Sequence, residues 1–291
     1  MPNPSNTILT GAYLALGAFF CFSLQDASVK WLVAGIAVVQ VLFMRSAVIT
    51  VVLTARFGPD LWAKLWASPY RLQLLLRGFL LLGAWISYYT ASRHLQLSEM
   101  TTIYYASPIL VTFFAIIFLG EKVPKTRWFV AAAGFIGVII ACLPRDASQT
   151  GAVGLAFLAA ILWSISITLM RSMATKVPSY FQMLAQNVIL LIACAAMLPW
   201  SWTWVPWDKF LLMAGVGLFG GLGQYLMVEA AGRAPASVTA TMEYSSLIWA
   251  FLLGAIIWGD IPPHNVWVGG TIIVISGLYL LYWERRRVRV I

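Results

Sequence analysis

The sequence predicts an all-α integral membrane protein of ten transmembrane helices, arranged as two inverted five-helix repeats with both termini in the cytoplasm. Three observations predict it. Residues 78–140, moved forward by 139 positions, fall without a gap on a second copy of themselves: Gly78 on Gly217, Ala91 on Ala230, Ser98 on Ser237, Thr102 on Thr241, Tyr105 on Tyr244, Ser107 on Ser246, Gly120 on Gly259, Pro124 on Pro263 and Trp128 on Trp267, with Glu121 facing Asp260. Coincident apolar residues would carry little weight in so apolar a chain. Gly, Pro, Tyr, Ser and Trp at one offset indicate duplication. Second, 61% of the 291 residues are hydrophobic and only 10% are charged, against about 25% charged in a soluble domain, so lipid is the solvent. Third, the Lys and Arg residues are unevenly spread. With a cytoplasmic N-terminus, fourteen of the nineteen, Arg77 among them, fall in inner segments, four (Lys30, Arg93, Arg145, Lys209) fall outside, and Arg45 lies within a span. That asymmetry sets the orientation. An odd number of helices per repeat then inverts the second repeat relative to the first. The repeats occupy 1–145 and 150–291.

The spans follow in order. Each is long enough to cross about 30 Å of hydrocarbon and none alternates with period 2, so they are helices rather than barrel strands. The first, 8–32, follows the polar, uncharged Met1–Thr7 and is too long for a signal-peptide core, so it is read as a retained helix. The second, 37–55, leads into the longest loop, 56–73, where Trp62, Trp66, Lys64 and Arg71 suit a short amphipathic segment on the inner surface. The third, 74–93, carries Gly83, Ser87 and Ala91 at the spacing of four that lets helices approach closely. The fourth, 99–119, contains Pro108, which frees a backbone carbonyl and predicts a break or kink. It stops at Gly120-Glu121-Lys122-Val123-Pro124, and the fifth, 127–143, begins with Trp128. The second repeat follows with 152–170, 180–199, 209–231 (Gly217 and Gly221 again four apart), 236–258 and 265–283. Its fourth helix stops at Gly259-Asp260-Ile261-Pro262-Pro263. Glycine followed by proline ends a helix and turns the chain. The neighbouring acid, Glu121 or Asp260, is expected to bond loop amides or nearby bases.

These two signatures in register, the Trp-led helices running from Trp128 to Gly137 and from Trp267 to Gly277, and the Leu162-Trp163-Ser164 step give the chain a close resemblance to the EamA group of the drug/metabolite transporter superfamily. Phe22-Ser23 stands where the family usually has a Trp. The resemblance covers nearly the whole chain. It implies a carrier with a central cavity lined partly by the first helix, in a family of amino-acid exporters and of importers of vitamins or nucleotide derivatives.

Ionisable groups inside hydrocarbon cost roughly 3 kcal/mol or more, so each faces protein or a watery cavity. Glu229 and Arg233, spaced i, i+4, are expected to pair on one helix face. Asp26 and Lys30 have the same spacing and either pair likewise or face the cavity. Arg45 and Glu243 have no partner on their own helices; each either completes an ion pair with another helix or presents its charge to a substrate. Deep tyrosines need hydrogen-bond partners, and a polar cavity supplies them. The expected substrate-binding residues are Gln25, Arg45, Tyr88, Ser92, Tyr104, Tyr105, Trp163, Ser164, Gln224, Tyr225, Glu243 and Tyr244, with Tyr88, Tyr105, Trp163, Tyr225, Glu243 and Tyr244 lining one central cavity. The coupling candidates are Asp26, Lys30 and Glu243.

Cys21, Cys142 and Cys194 lie inside spans without metal-type spacing, and His94 and His264 sit apart, so neither metal nor cofactor is expected. The chain has no GxSxG, HExxH or acidic repeat, which argues against a membrane-embedded enzyme, and no filter-like glycine repeat, which argues against a channel. The net charge of +9 follows from the charge asymmetry across the membrane and needs no nucleic acid. The expected partners are the bilayer and a small-molecule substrate; a homodimer stays open. The leading expectation is a secondary transporter exporting small polar metabolites, above all amino acids. Its alternative is uptake of a larger aromatic metabolite such as riboflavin or S-adenosylmethionine.

Overall fold

Long apolar runs leave the backbone no partner in lipid except itself, and a helix satisfies every N–H and C=O locally. In the computed structural model, which describes residues 4–120, 125–141, 149–173, 176–231, 233, 242–243 and 245–288, the regular structure of those residues is all helical. The helices are α1 (Pro4–Val33), α2 (Val38–Phe57), α3 (Asp60–Trp66), α4 (Arg71–Ala91), α5 (Leu97–Tyr104), α6 (Ser107–Leu119), α7 (Lys125–Ala141), α8 (Thr150–Met173), α9 (Ser179–Met197), α10 (Trp207–Ala231), α11 (Ser245–Trp258) and α12 (His264–Val288). Among the described residues α1, α2, α4, α8, α9 and α10 each contain a stretch long and apolar enough to cross a membrane, and α11 and α12 contain shorter apolar stretches. Glu121, Pro124, Cys142, Ser237, Thr241 and Tyr244 lie outside the described residues.

The expected fourth span is two helices. Pro108 has no N–H to give the carbonyl of Tyr104. The chain leaves the helix at residues 105–106 and re-enters it at Ser107. The α5 start is held by a capping box in which the Gln96 amide donates to Glu99 Oε2 at 2.8 Å. At the far end of α6, Gly120 adopts φ 65°, and Gly259, 139 positions later, adopts φ 65° as well. Their amides donate to Ile116 and Ala255 at 3.1 Å, the left-handed C-terminal stop that a Cβ would strain.

The packing exchanges the two halves. α1 packs on α10 while α8 packs on α4; α1 meets α11 while α8 meets α6; α2 meets α10 while α9 meets α4. The remaining main contacts, α2 with α9 and α7 with α12, map onto themselves under that exchange. α3 lies across α2 and α9, with Leu61 and Leu65 buried and Ala63 and Lys64 exposed, as an amphipathic segment requires. Trp200, Trp204 and Trp207 stand almost fully exposed near the start of α10, where an interfacial belt would hold them. One inner-loop charge is relocated: Arg77 is buried within α4, on the stripe of Leu74 and Leu81.

Candidate binding site

Asp26 lies seven residues before the end of α1, and Arg45 lies seven residues after the start of α2. Consecutive antiparallel helices therefore bring them to one depth, about 10 Å below the connecting turn at 1.5 Å per residue. The side chains do not touch as an ion pair. Gln25 stands between them: Arg45 Nε donates to Gln25 Oε1 at 2.9 Å, and Gln25 Nε2 donates to the Tyr89 hydroxyl at 2.7 Å and to Asp26 Oδ1 at 3.3 Å. The Tyr89 hydroxyl donates onward to Asp26 Oδ1 at 3.2 Å. Arg45 is 1% exposed, its guanidinium lies 3.8 Å over the ring centre of Trp85, and Nη1 has no hydrogen-bond partner. A buried guanidinium with an unmet N–H is a strong donor awaiting an acceptor.

The site depends on α10 coming close. A Cβ built on Gly220 would stand 2.1 Å from Gln25 Oε1 and 3.0 Å from Arg45 Nε, so a side chain there would have to displace the hydrogen-bonded Gln25 amide. The aromatic wall comes from α4, where Trp85, Tyr88 and Tyr89 share a face at i, i+3 and i+4. Tyr88 meets Tyr89 and Tyr104 edge-on at 5.6 and 5.5 Å, and Tyr104 meets Trp163 at 6.0 Å. Tyr104 also lies within electrostatic reach of Asp26 and Glu243. The wall thus runs from α4 through α5 to α8 of the second half.

Of the expected site residues, Gln25, Arg45, Tyr88, Tyr104 and Trp163 come together, joined by the coupling candidate Asp26. Trp85 and Tyr89 belong with them and were not among the expected site residues; their i−3 and i+1 relation to Tyr88 on a deep helix was the available signal. Glu243 lies within electrostatic range of Tyr104, and Asp26 within that of Arg45. Tyr105 is buried and ties the α5–α6 break to the second half, donating to the Glu243 carbonyl and lying 2.6 Å from Ser246 Oγ. Gln224 is half-buried, with Oε1 unpartnered.

The other polar residues are placed as follows. Tyr225 is 54% exposed: α10 buries Met213, Val216, Gly217, Gly220 and Gly223, which leaves Leu218, Leu222 and Tyr225 on the opposite stripe. Ser92 and Ser164 are buried but spend their hydroxyls locally, Ser92 on the Tyr89 carbonyl at 2.8 Å and Ser164 on those of Ala160 at 2.6 Å and Ser107 at 3.1 Å. Asp26 and Lys30 do not pair. The long Lys30 side chain runs to the helix end, where Nζ donates to the Leu95 carbonyl at 2.8 Å and meets Asp260 Oδ2 at 3.5 Å beside the Trp258 ring. Asp260 thus bonds a nearby base, as expected of that signature. Glu229 and Arg233 do pair, four residues apart at the end of α10.

Comparison with known proteins places this site in context. The chain is 27% identical over 282 residues to the pseudopaline exporter CntI of Pseudomonas aeruginosa, covering 93% of this chain and 95% of that one. It is 29% identical over 185 residues to the riboflavin transporter of Vibrio cholerae, covering 63% and 62%. It is 22% identical over 291 residues to the S-adenosylmethionine uptake transporter of Rickettsia prowazekii, covering 98% and 97%. A crystal structure matches the fold with a TM-score of 0.65 at 17% identity, over 97% of this chain and 98% of that one. The family model for the EamA-like transporter family matches residues 9–143 and again 150–283, so this multi-pass membrane protein belongs to the EamA-like transporter family and is a transporter rather than an enzyme.

Proposed function

We propose that the protein is a secondary transporter that exports small metabolites bearing both a carboxylate and an ammonium, amino acids foremost. The observation that carries this reading is the buried Arg45, with Nη1 unpartnered and Asp26 one glutamine away. A zwitterion would give its carboxylate to Arg45 and its ammonium to Asp26, so the buried guanidinium and the half-buried carboxylate would each gain an opposite charge in direct contact. Tyr88, Tyr104 and Trp163 would enclose the rest of the molecule. The central site would open alternately to each face by relative motion of two inverted repeats, 1–145 and 150–291, each of five spans, with both termini cytoplasmic. The helix contacts that exchange the halves and the twofold family match support that reading. An export direction fits the likeness to a pseudopaline exporter.

A second reading, uptake of a larger aromatic metabolite, is favoured by the continuous wall of Trp85, Tyr88, Tyr104 and Trp163 and by the likeness to riboflavin and S-adenosylmethionine transporters. Exchange of labelled compounds across liposomes holding the purified protein separates the two. Saturable exchange of amino acids, lost in Arg45→Ala, supports export of zwitterions. Exchange of riboflavin or S-adenosylmethionine alone would replace that reading with the second.

A further inference from the structure

A second arginine lies inside the bundle, and the central cluster does not use it. Arg77 is 7% exposed on the buried stripe of α4, toward its Arg71 end. Its contacts are meagre. Nη1 donates to the Gln182 carbonyl at 3.4 Å, Nη2 lies 3.6 Å from the sulfur of Met170, and Nε has no partner. Among the described residues no carboxylate forms an ion pair with it. Gln182 is 4% exposed, and its own Oε1 is unpartnered. A buried cation without an anion costs far more than one long hydrogen bond to a neutral carbonyl returns. A methionine or leucine would fill this place between α4, α8 and α9 without that cost. The unmet groups are complementary to one kind of ligand: the planar guanidinium fork suits a carboxylate, and the unpartnered amide oxygen of Gln182, the residue whose main-chain carbonyl Arg77 contacts, suits an N–H or O–H donor. Arg77 stands eight residues before Trp85, the residue that Arg45 stacks on, so about 12 Å of helix separates the two arginines.

We propose that Arg77 and Gln182 form a second binding station, toward the α3 end of the bundle, for a carboxylate whose owner also carries a hydrogen-bond donor. A molecule leaving the Arg45 cluster toward that end would meet a second guanidinium before reaching solvent.

The test measures the melting temperature of the full-length purified protein at constant ionic strength with added serine, acetate or chloride. The wild type is compared with Arg45→Met, Arg77→Met and the double variant. A shift with serine that survives in Arg45→Met and disappears in the double variant supports the station, with acetate about tenfold weaker because it has no donor for Gln182. A shift abolished by Arg45→Met alone leaves the central reading standing and overturns the station. One abolished by Arg77→Met alone does the reverse to the two readings. No shift with any additive overturns the station, and so does a chloride shift equal to that with serine, which would mark an inorganic-anion site. Arg77→Met is also expected to melt no lower than the wild type without ligand; a drop of several degrees would mark the arginine as a structural clamp. If Arg77→Met does not fold, Arg77→Lys keeps the charge and loses the fork, and an unchanged serine response in Arg77→Lys would overturn the proposal.

Discussion

Gly220 of α10 and Gln25 of α1 are in contact so close that a side chain on the glycine would displace the glutamine: a Cβ there would lie 2.1 Å from Gln25 Oε1. That oxygen is the one that accepts from Arg45 Nε. A backbone position in the second half therefore sets where a charged pair of the first half can stand.

Gly220→Ala is expected to push Gln25 and Arg45 apart, at the roughly 1–3 kcal/mol typical of overpacking. Gly215→Ala, on the same helix with its nearest neighbour 4.0 Å away, is the control. Melting temperature and exchange rate should both fall for Gly220→Ala and hold for Gly215→Ala. Equal behaviour of the two would contradict the close packing.

Asp26 and Arg45 should show strong coupling. Removing either charge leaves the other among neutral partners only, so Arg45→Met and Asp26→Asn should each melt below the wild type. The double variant should recover much of that stability while remaining inactive in exchange. Additive losses in a double-mutant cycle would show that Gln25 insulates the two charges instead of linking them.

Lys30 and Asp260 join the end of α1 to the turn after α11, with side chains 12% and 22% exposed. Their exposure limits the pair to roughly 1 kcal/mol. Lys30→Ala should cost more than Asp260→Ala, because Lys30 also holds the Leu95 carbonyl and the Trp258 ring. Thermal melts of the two variants decide it, and a greater loss in Asp260→Ala would be the contrary result.

Membrane orientation has a direct check. In a background with the native cysteines replaced by alanine, Gly35→Cys, where a side chain meets nothing within 4 Å, should react with an impermeant maleimide from outside intact cells. Lys64→Cys, exposed on α3, should react only after the cells are opened. The reverse pattern would invert the topology.

Much of the architecture was readable because its determinants are local. Gly120 and Gly259 adopt the same left-handed φ because each follows an apolar helix and has no Cβ to resist. Pro108 broke its helix for want of one N–H. Glu229 and Arg233 paired because they stand four residues apart at one helix end. Such consequences need only the chain within a turn or two.

The site was legible in its residue types and only partly in its members. Mid-span Gln25, Arg45, Tyr88, Tyr104 and Trp163 were identifiable because polar and aromatic groups are costly in lipid wherever they point. Which way each pointed was not. Helix rotation is set by what the neighbouring helices offer, so α10 turned its glycines inward and carried Tyr225 out, while Lys30 found Asp260 in the turn after α11 instead of Asp26 on its own helix. The sequence by itself determined a duplicated, helical membrane transporter with charges sealed inside it. Only the tertiary structure decided that Arg45 meets Asp26 through Gln25 under Trp85, and that Arg77 lies buried without a carboxylate. Apart from the bond between the neighbours Gln25 and Asp26, those contacts join residues 20 to 105 positions apart, and no local preference of the chain encodes them.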